Sequence, residues 1–355
     1  MTDRRILLLS RYGPLGASSR LRSLQYLPHL RECGLEIDVE PLFDDDYLQR
    51  IYAGRRPSWM RVASSYANRL LRLLHVDAYD IVWVEKELFP WLPAFVDLLL
   101  ARRAPKLVLD FDDAIFHRYD GHRSAFVRRI LGRKIDALMG AADLVLVGND
   151  YLAARAASAG ARRVELLPTV VDTRRYQALV RPAERPFTVG WIGTPRTAAY
   201  LKPIEKALHE VAAETGAHFV IVGAGTQALP GLPNVEHCPW SEASEASDLQ
   251  RVDVGLMPLP DEPFERGKCG YKLVQYMASG KSVVASPVGV NTEIVEPGLN
   301  GFLASSTEEW RESLLLLASD PGLCARQGAA GRRKAEQHYS LFTCQRHLAG
   351  LLLNL

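Results

Sequence analysis

The sequence has no apolar run long enough to cross a bilayer. Its most apolar stretch, Leu88–Ala101, is broken by Pro90, Pro93 and Asp97. Cysteine is sparse: Cys33, Cys238, Cys269, Cys324 and Cys344 are odd in number, widely scattered and without a C-x-x-C pair. That pattern excludes a disulfide framework, speaks against a zinc site and fits reduced thiols in a cytoplasm. A large charge of one sign is also missing. The formal net charge of +2 argues against wholesale nucleic-acid binding and leaves electrostatic attraction to local patches. Neither a tandem repeat nor a low-complexity tract occurs. The opening MTDRRILLLSRYG sets basic residues before a short apolar run, but the run breaks at Ser10-Arg11 without a small-residue cleavage site. It reads as a first strand and not as a signal peptide. The expected location is cytoplasmic, with peripheral contact at the inner face of a membrane left open.

What is present is alternation. A chain of 355 residues with 48% hydrophobic and 24% charged content is comfortable for two domains of ordinary size. Short apolar runs at Ile6–Ser10, Leu35–Leu42, Ile81–Val84, Lys106–Asp110 and Leu144–Val147 read as strands, with helical patterns between them. One such helix, Arg20–Glu32, carries Leu21, Leu24, Leu27 and Leu30 on one stripe. The pattern lapses in the polar, proline-bounded stretch from Pro168 to Pro186, then restarts with strands at Thr188–Ile192, His218–Val222, Asn234–Cys238 and Val252–Met257. Alternating strands and helices predict parallel, doubly wound sheets. We expect a first domain over 1–170, a linker over 171–185 and a second domain over 186–338. A terminal amphipathic helix, Leu341–Leu353, follows them.

The most informative stretch is Pro258–Glu296. A loop carrying Glu265, Arg266, Gly267, Lys268 and Gly270 leads into a helix, Tyr271–Ala278, capped by Gly280. A strand, Ser282–Ala285, and the turn Ser286-Pro287-Val288-Gly289 follow. Two strand-to-helix turns with glycine and lysine bring backbone N–H groups and positive charge to one sheet edge, where open α/β sheets hold phosphorylated ligands. An ordinary βαβ unit would also need such glycines to turn its corners. At the start of the second domain, Gly193, Thr194 and Arg196 repeat the pattern of strand, glycine turn and cation, and with Lys268 and Lys272 they suit a diphosphate.

The turn after the first strand, Tyr12 to Arg20, is not the G-x-G-x-x-G fingerprint, because its glycines are spaced otherwise and Pro14 removes a donor. Its Gly13–Gly16 turn, with Arg20 and Arg22 beside it, suits either a phosphate or sugar hydroxyl, or a plain helix cap. Asp110, Asp112 and Asp113 end a strand. They read as a proton acceptor or stabiliser of positive charge, as a D-x-D metal pair, or as a helix cap at Asp113. Glu85 and Glu87 end another strand and either meet acceptor hydroxyls or pair with Lys86 and nearby arginines. His117 follows as a candidate contact. Arginines at 55, 56, 61, 69 and 72, and again at 118, 123, 128, 129 and 133, flank apolar residues in a way that suits an anionic lipid surface or a solvated helix face.

The ordered blocks at 188–194, Val222-Gly223-Ala224-Gly225, Asp253–Pro258 and Gln275–Ala285 resemble the retaining glycosyltransferases of family 4, which have the GT-B fold. The resemblance implies two Rossmann-like domains facing a cleft, with the C-terminal helix crossing back to the first. It implies a UDP- or GDP-sugar as donor substrate, a glycan or lipid-linked saccharide as acceptor, no nucleic-acid partner, and no metal or other cofactor. By position, the donor would be held by Gly16, Gly193, Thr194, Arg196, Gly223, Trp240, Lys268, Lys272, Gln275, Val288 and Gly289. The acceptor would meet Arg20, Glu85, Glu87 and His117, and Asp112, Asp113, Glu265 and Lys268 would take the catalytic roles. The family usually has two glutamates with seven residues between them; here Gly267 and Gln275 stand in those places, with Glu265 two residues before the first. A catalytically degenerate subunit of the same fold is therefore the second expectation.

Overall fold

The computed structural model describes residues 4–178 and 185–355, without the side chains of residues 100 and 101. Part of the expected linker, 179–184, lies outside the described residues. The chain forms two units. One comprises residues up to Thr169 with Arg266–Cys269 and Cys344–Leu355; the other comprises Val170–Glu265 and Gly270–Thr343.

The first unit holds β1 (Arg4–Leu9), β2 (Leu35–Val39), β3 (Ile81–Glu85), β4 (Leu107–Phe111), β5 (Leu144–Val147) and β6 (Val164–Leu166). They form one parallel sheet in the order β2-β1-β3-β4-β5-β6. The central strands are buried along their whole length, as expected where helices cover both faces of a parallel sheet. The strand order reverses between β1 and β3, so the loops leaving those two strands diverge and open a recess at their carboxyl ends.

The second unit holds β7 (Thr188–Ile192), β8 (His218–Val222), β9 (Val235–Cys238), β10 (Val254–Met257), β11 (Ser282–Ala285) and β12 (Gly301–Leu303). Their order, β12-β11-β10-β7-β8-β9, reverses between β7 and β10. The helix Tyr271–Ala278 is seated at this point by Tyr276. Gly255 of β10 has no side chain, and the Tyr276 ring fills that space. The buried Tyr276 hydroxyl accepts from Ile192 N at 3.1 Å and donates to Leu256 O at 3.3 Å, which ties the helix to both strands.

Several expected boundaries shift for local reasons. The helix expected over Arg20–Glu32 breaks at Ser23 (φ −132°) into Ala17–Arg22, a 3₁₀ turn at Leu24–Tyr26, and Leu27–Glu32. Pro28, in the first turn of the last piece, lacks the N–H that an uninterrupted helix would need there. The helix expected over Leu201–Glu214 begins as a 3₁₀ segment, Thr197–Ile204, containing Pro203, and continues as Glu205–Thr215. β6 and β12 have three residues each, too short for a readable period.

Candidate functional site

In the second unit, the candidate site lies at the ends of β7, β8 and β10. Gly223 has φ +77°, a left-handed conformation, and a Cβ there would land on the carbonyl oxygen of Gly193. The turns after β7 and β8 therefore abut, backbone to backbone. They are joined by Gly193 N donating to Val222 O, and Gly223 N donates to Cys238 O at the end of β9. Thr194 N donates to Thr197 Oγ1 at 3.0 Å. Lys272 Nζ stands 5.3 Å from the centre of the Trp191 ring, and that indole also fills the space beside Gly193. Glu265, after β10, accepts from the Tyr200 hydroxyl at 2.5 Å. A chain of buried bonds completes this edge: Gln275 Nε2 to the Tyr176 oxygen (3.3 Å), the Tyr176 hydroxyl to Glu245 Oε1 (2.5 Å), and Trp240 Nε1 to Glu245 Oε2 (2.8 Å).

In the first unit, the recess between β1 and β3 is filled with charge. Lys86 has φ +68° and Glu87 N donates back to Glu85 O, a γ-turn of the rarer, strained hand. This turn drives Lys86 Nζ inward to Asp112 (2.8 Å), Asp113 (3.6 Å) and Ser18 Oγ (3.0 Å). Burial works against charge on Asp112, yet the Lys86 ammonium, the Ser18 hydroxyl and Arg22 hold its carboxyl at about 2. Burial likewise opposes charge on Lys86, and Asp112, Asp113 and Glu85 hold that ammonium above the usual lysine range. The Arg266–Cys269 segment closes over this cluster. Lys268 pairs with Asp113 at 3.6 Å, Cys269 Sγ donates to Asp112 O, and Asn149 Nδ2 donates to Gly267 O and Lys268 O.

The expected site residues divide. Gly193, Thr194, Gly223, Trp240, Lys272 and Gln275 all lie at the carboxyl edge of the second sheet or on the helix seated there. Arg196 is exposed in the turn after β7, and Val288 and Gly289 form the turn after β11. Lys268 belongs to the first unit, where its ammonium pairs with Asp113 at 3.6 Å, and Lys272 belongs to the second. Asp112 and Asp113 come together with Lys86 and Lys268, and the Lys86 ammonium and the Ser18 hydroxyl hold the Asp112 carboxyl below the usual carboxylate range.

The side chains expected to meet an acceptor are engaged within the protein. Glu87 is buried and spent on Tyr119, Lys134 (3.0 Å) and Arg11 (3.2 Å). Glu85 Oε2 accepts from Arg11 N and from Ser19 Oγ. Both ring nitrogens of His117 are engaged, by Asp120 and by the Tyr151 hydroxyl. Arg20 donates to Pro14 O, and Gly16 is packed against Tyr12 with no room for a side chain. Arg22 and Asp110, expected at the same edge, form a fully buried pair at 2.8 Å. The basic face over 55–72 is also thinner than expected: Arg69 is buried on the carbonyls of Ser10 and Glu40, and Arg72 pairs with Glu40. Tyr176, Glu245, Thr197 and Asn149 escaped the sequence reading. Asn149 alone left a local signal, as the N-cap of the helix Asp150–Ser158.

Residues 186–320 match the family described as Glycosyl transferases group 1. No curated protein matches the chain in sequence. Among solved structures, HepE from Anabaena in complex with UDP and glucose is 19% identical with a TM-score of 0.73, covering 99% of this chain and 100% of that one. Sucrose-phosphate synthase from Thermosynechococcus elongatus is 14% identical with a TM-score of 0.73 and coverages of 99% and 98%. WaaG, described as a glycosyltransferase of lipopolysaccharide biosynthesis, is 14% identical with a TM-score of 0.69 and coverages of 98% and 99%. At these identities the likeness shows the fold. The chain has the GT-B fold, and its residues 186–320 match the glycosyl transferases group 1 model.

Proposed function

We propose that this protein is a retaining glycosyltransferase that moves a sugar from a UDP- or GDP-linked donor to a hydroxyl of a glycan or lipid-linked saccharide. The turn after β7, at the strand-order reversal of a domain that matches the group 1 model, carries this reading: it abuts the Gly223 turn and lies at one sheet edge with Lys272 and Trp240. HepE, on the same fold, binds UDP and UDP-glucose. In the reaction, the bond from the anomeric carbon to the phosphate oxygen breaks as the acceptor hydroxyl adds on the same face. Its proton goes to the departing phosphate oxygen, and anomeric configuration is kept. Lys272 offsets charge on the leaving group. The reading assigns no metal or organic cofactor.

We place the work at the inner face of the cell membrane, in polysaccharide or glycolipid synthesis. Support comes from exposed Trp59, Met60, Phe95, Leu99, Phe126 and Ile130, all in the first unit and interspersed with arginines. Among the described residues no helix is long and apolar enough to cross a membrane. Sedimentation with anionic vesicles tests the contact, and recovery of all protein in the supernatant would refute it. The activity itself is tested by a screen of UDP- and GDP-sugars for nucleotide release with saccharide acceptors, with the product's anomeric configuration read by NMR. Inverted product, or no release with any donor, counts against it.

A catalytically degenerate binding subunit is favoured by one observation. Gly267 is pressed onto Ala114, whose backbone N lies 2.9 Å from the place of a Cβ, so no carboxylate side chain fits there. That reading predicts nucleotide binding without transfer to any acceptor.

A further inference from the structure

We propose that Tyr176 and Glu245 are positioning residues for the nucleotide site, a one-way hydrogen-bond relay that requires an amide at 275 because the site's one buried acid stands at 245. The inference rests on the reading of the second unit as nucleotide-binding. Its geometry is independent of it.

The relay's direction follows from counting protons. Tyr176, Glu245 and Gln275 are 2%, 4% and 2% exposed, so water does not make up for an unmet bond. Glu245 is an acceptor with two oxygens, and both are taken, one by the Tyr176 hydroxyl at 2.5 Å and one by Trp240 Nε1 at 2.8 Å. A phenol has one proton, and Tyr176 has committed it to Glu245. Whatever faces the Tyr176 oxygen from the helix Tyr271–Ala278 must therefore donate. Gln275 Nε2 does so at 3.3 Å, and the Tyr271 side chain adds a second bond. A glutamate at 275 would bring a second acceptor to a phenol with no proton left to give.

The two ends of the relay are the groups that matter to a ligand. Trp240 Cβ lies 3.1 Å from where a Cβ of Gly223 would stand, so Trp240 is rooted against the abutting turns, and its indole N–H is held by Glu245. Gln275 sits on the helix that Tyr276 ties to β7 and β10. One carboxylate thus fixes an indole at one end and an amide at the other. Two cations face the relay: Arg175 interacts with Tyr176 and Glu245 and is itself held by Glu242 at 3.0 Å, and Arg332 donates to the backbone carbonyls of Tyr176, Ala278 and Thr173.

The test uses the full chain as wild type, Q275E, and the swap Q275E/E245Q. Affinity for UDP and for GDP is measured by titration calorimetry between pH 6 and 8.5, beside the ligand-free unfolding midpoint in the same buffers. In Q275E two carboxylates share one phenolic proton, so one of them keeps a proton at low pH and loses it as pH rises. The ratio of Q275E to wild-type affinity should fall by roughly tenfold across that window. The swap should return the ratio to a flat line, within about threefold of wild type. A flat ratio for Q275E, or a change confined to the unfolding midpoint, overturns the positioning role. Binding of neither nucleotide by the folded wild type overturns both the functional reading and that role. In that case equal midpoints for Q275E and the swap would also refute the relay itself, and a higher midpoint for the swap would keep it as a structural feature. Should Q275E not fold, Y176F carries the test: it removes the shared proton and should weaken binding, and unchanged affinity would overturn the proposal.

Discussion

The two units share one architecture and use the same place in it differently. Each has a six-stranded parallel sheet whose strand order reverses once, between β1 and β3 or between β7 and β10. In the first, the recess at the reversal is packed with charges that answer one another: Lys86 with Asp112, Arg22 with Asp110, and Lys134 with Glu87 and Asp97. In the second, the recess is edged by glycine turns, hydroxyls, an amide and an indole, with Glu245 held inside the relay. Buried charge left without a partner is costly, so the first arrangement must stay intact to be stable. The second is edged mostly by uncharged groups and suits a ligand that brings its own charge. Equal topology does not imply equal function at the strand ends.

Substitutions that break one side of this comparison should leave the other standing. The largest effect is expected at Lys134. K134M takes away the ammonium paired with Asp97 in the interior and leaves Glu87 to Arg11 and Tyr119, and chemical denaturation should show a loss of about 3–5 kcal/mol. G223A comes next. Its Cβ must displace the Gly193 carbonyl from a left-handed backbone position, at about 2 kcal/mol, and the UDP or GDP dissociation constant should rise roughly 30-fold.

The Asp112 carboxyl is held at about 2, below its unfolded value. Its contribution is therefore present above about pH 4 and lost as pH falls towards 2, on the order of 2 kcal/mol. D112N should flatten that part of the stability profile, and an unchanged acid limb would contradict the Lys86 pairing. In the second unit, burial and the nearby Arg185 push the Lys281 ammonium down to about 8, with Asp253 opposing. The native state then binds fewer protons than the unfolded chain between pH 8 and about 10.5, so stability should climb through that window. K281M should raise the midpoint at neutral pH, by about 1 kcal/mol, and remove the climb. The smallest effect is expected for K272A, about fivefold weaker nucleotide binding without loss of stability, because only one exposed-edge charge is removed.

How far the sequence could be read depended on whether the signal was local. The helix Tyr271–Ala278 and the strands Ser282–Ala285 and Thr188–Ile192 were legible residue for residue, because glycines and short apolar runs mark their ends. The turn glycines at 193 and 223 were legible as a pair of strand exits, though not as surfaces that touch. Side-chain partners distant in sequence were not legible. Glu87 reads as an acid at a strand end, and nothing near it announces Lys134. Lys268 and Lys272 are one helical turn apart in sequence, but the first is held by Asp113 and the second lies near Trp191. Tyr176 sits in the stretch read as a linker, far from both Glu245 and Gln275, so the relay left no spacing to find.

The central claim is that the backbone turns of the second unit receive the pyrophosphate of a nucleotide. Titrating UDP and GDP into the folded chain and into G223A tests it most directly. One of the two nucleotides should bind the wild type at one site per chain and bind the variant far more weakly. Equal affinity in both proteins, or no heat from either nucleotide with wild type, would contradict it.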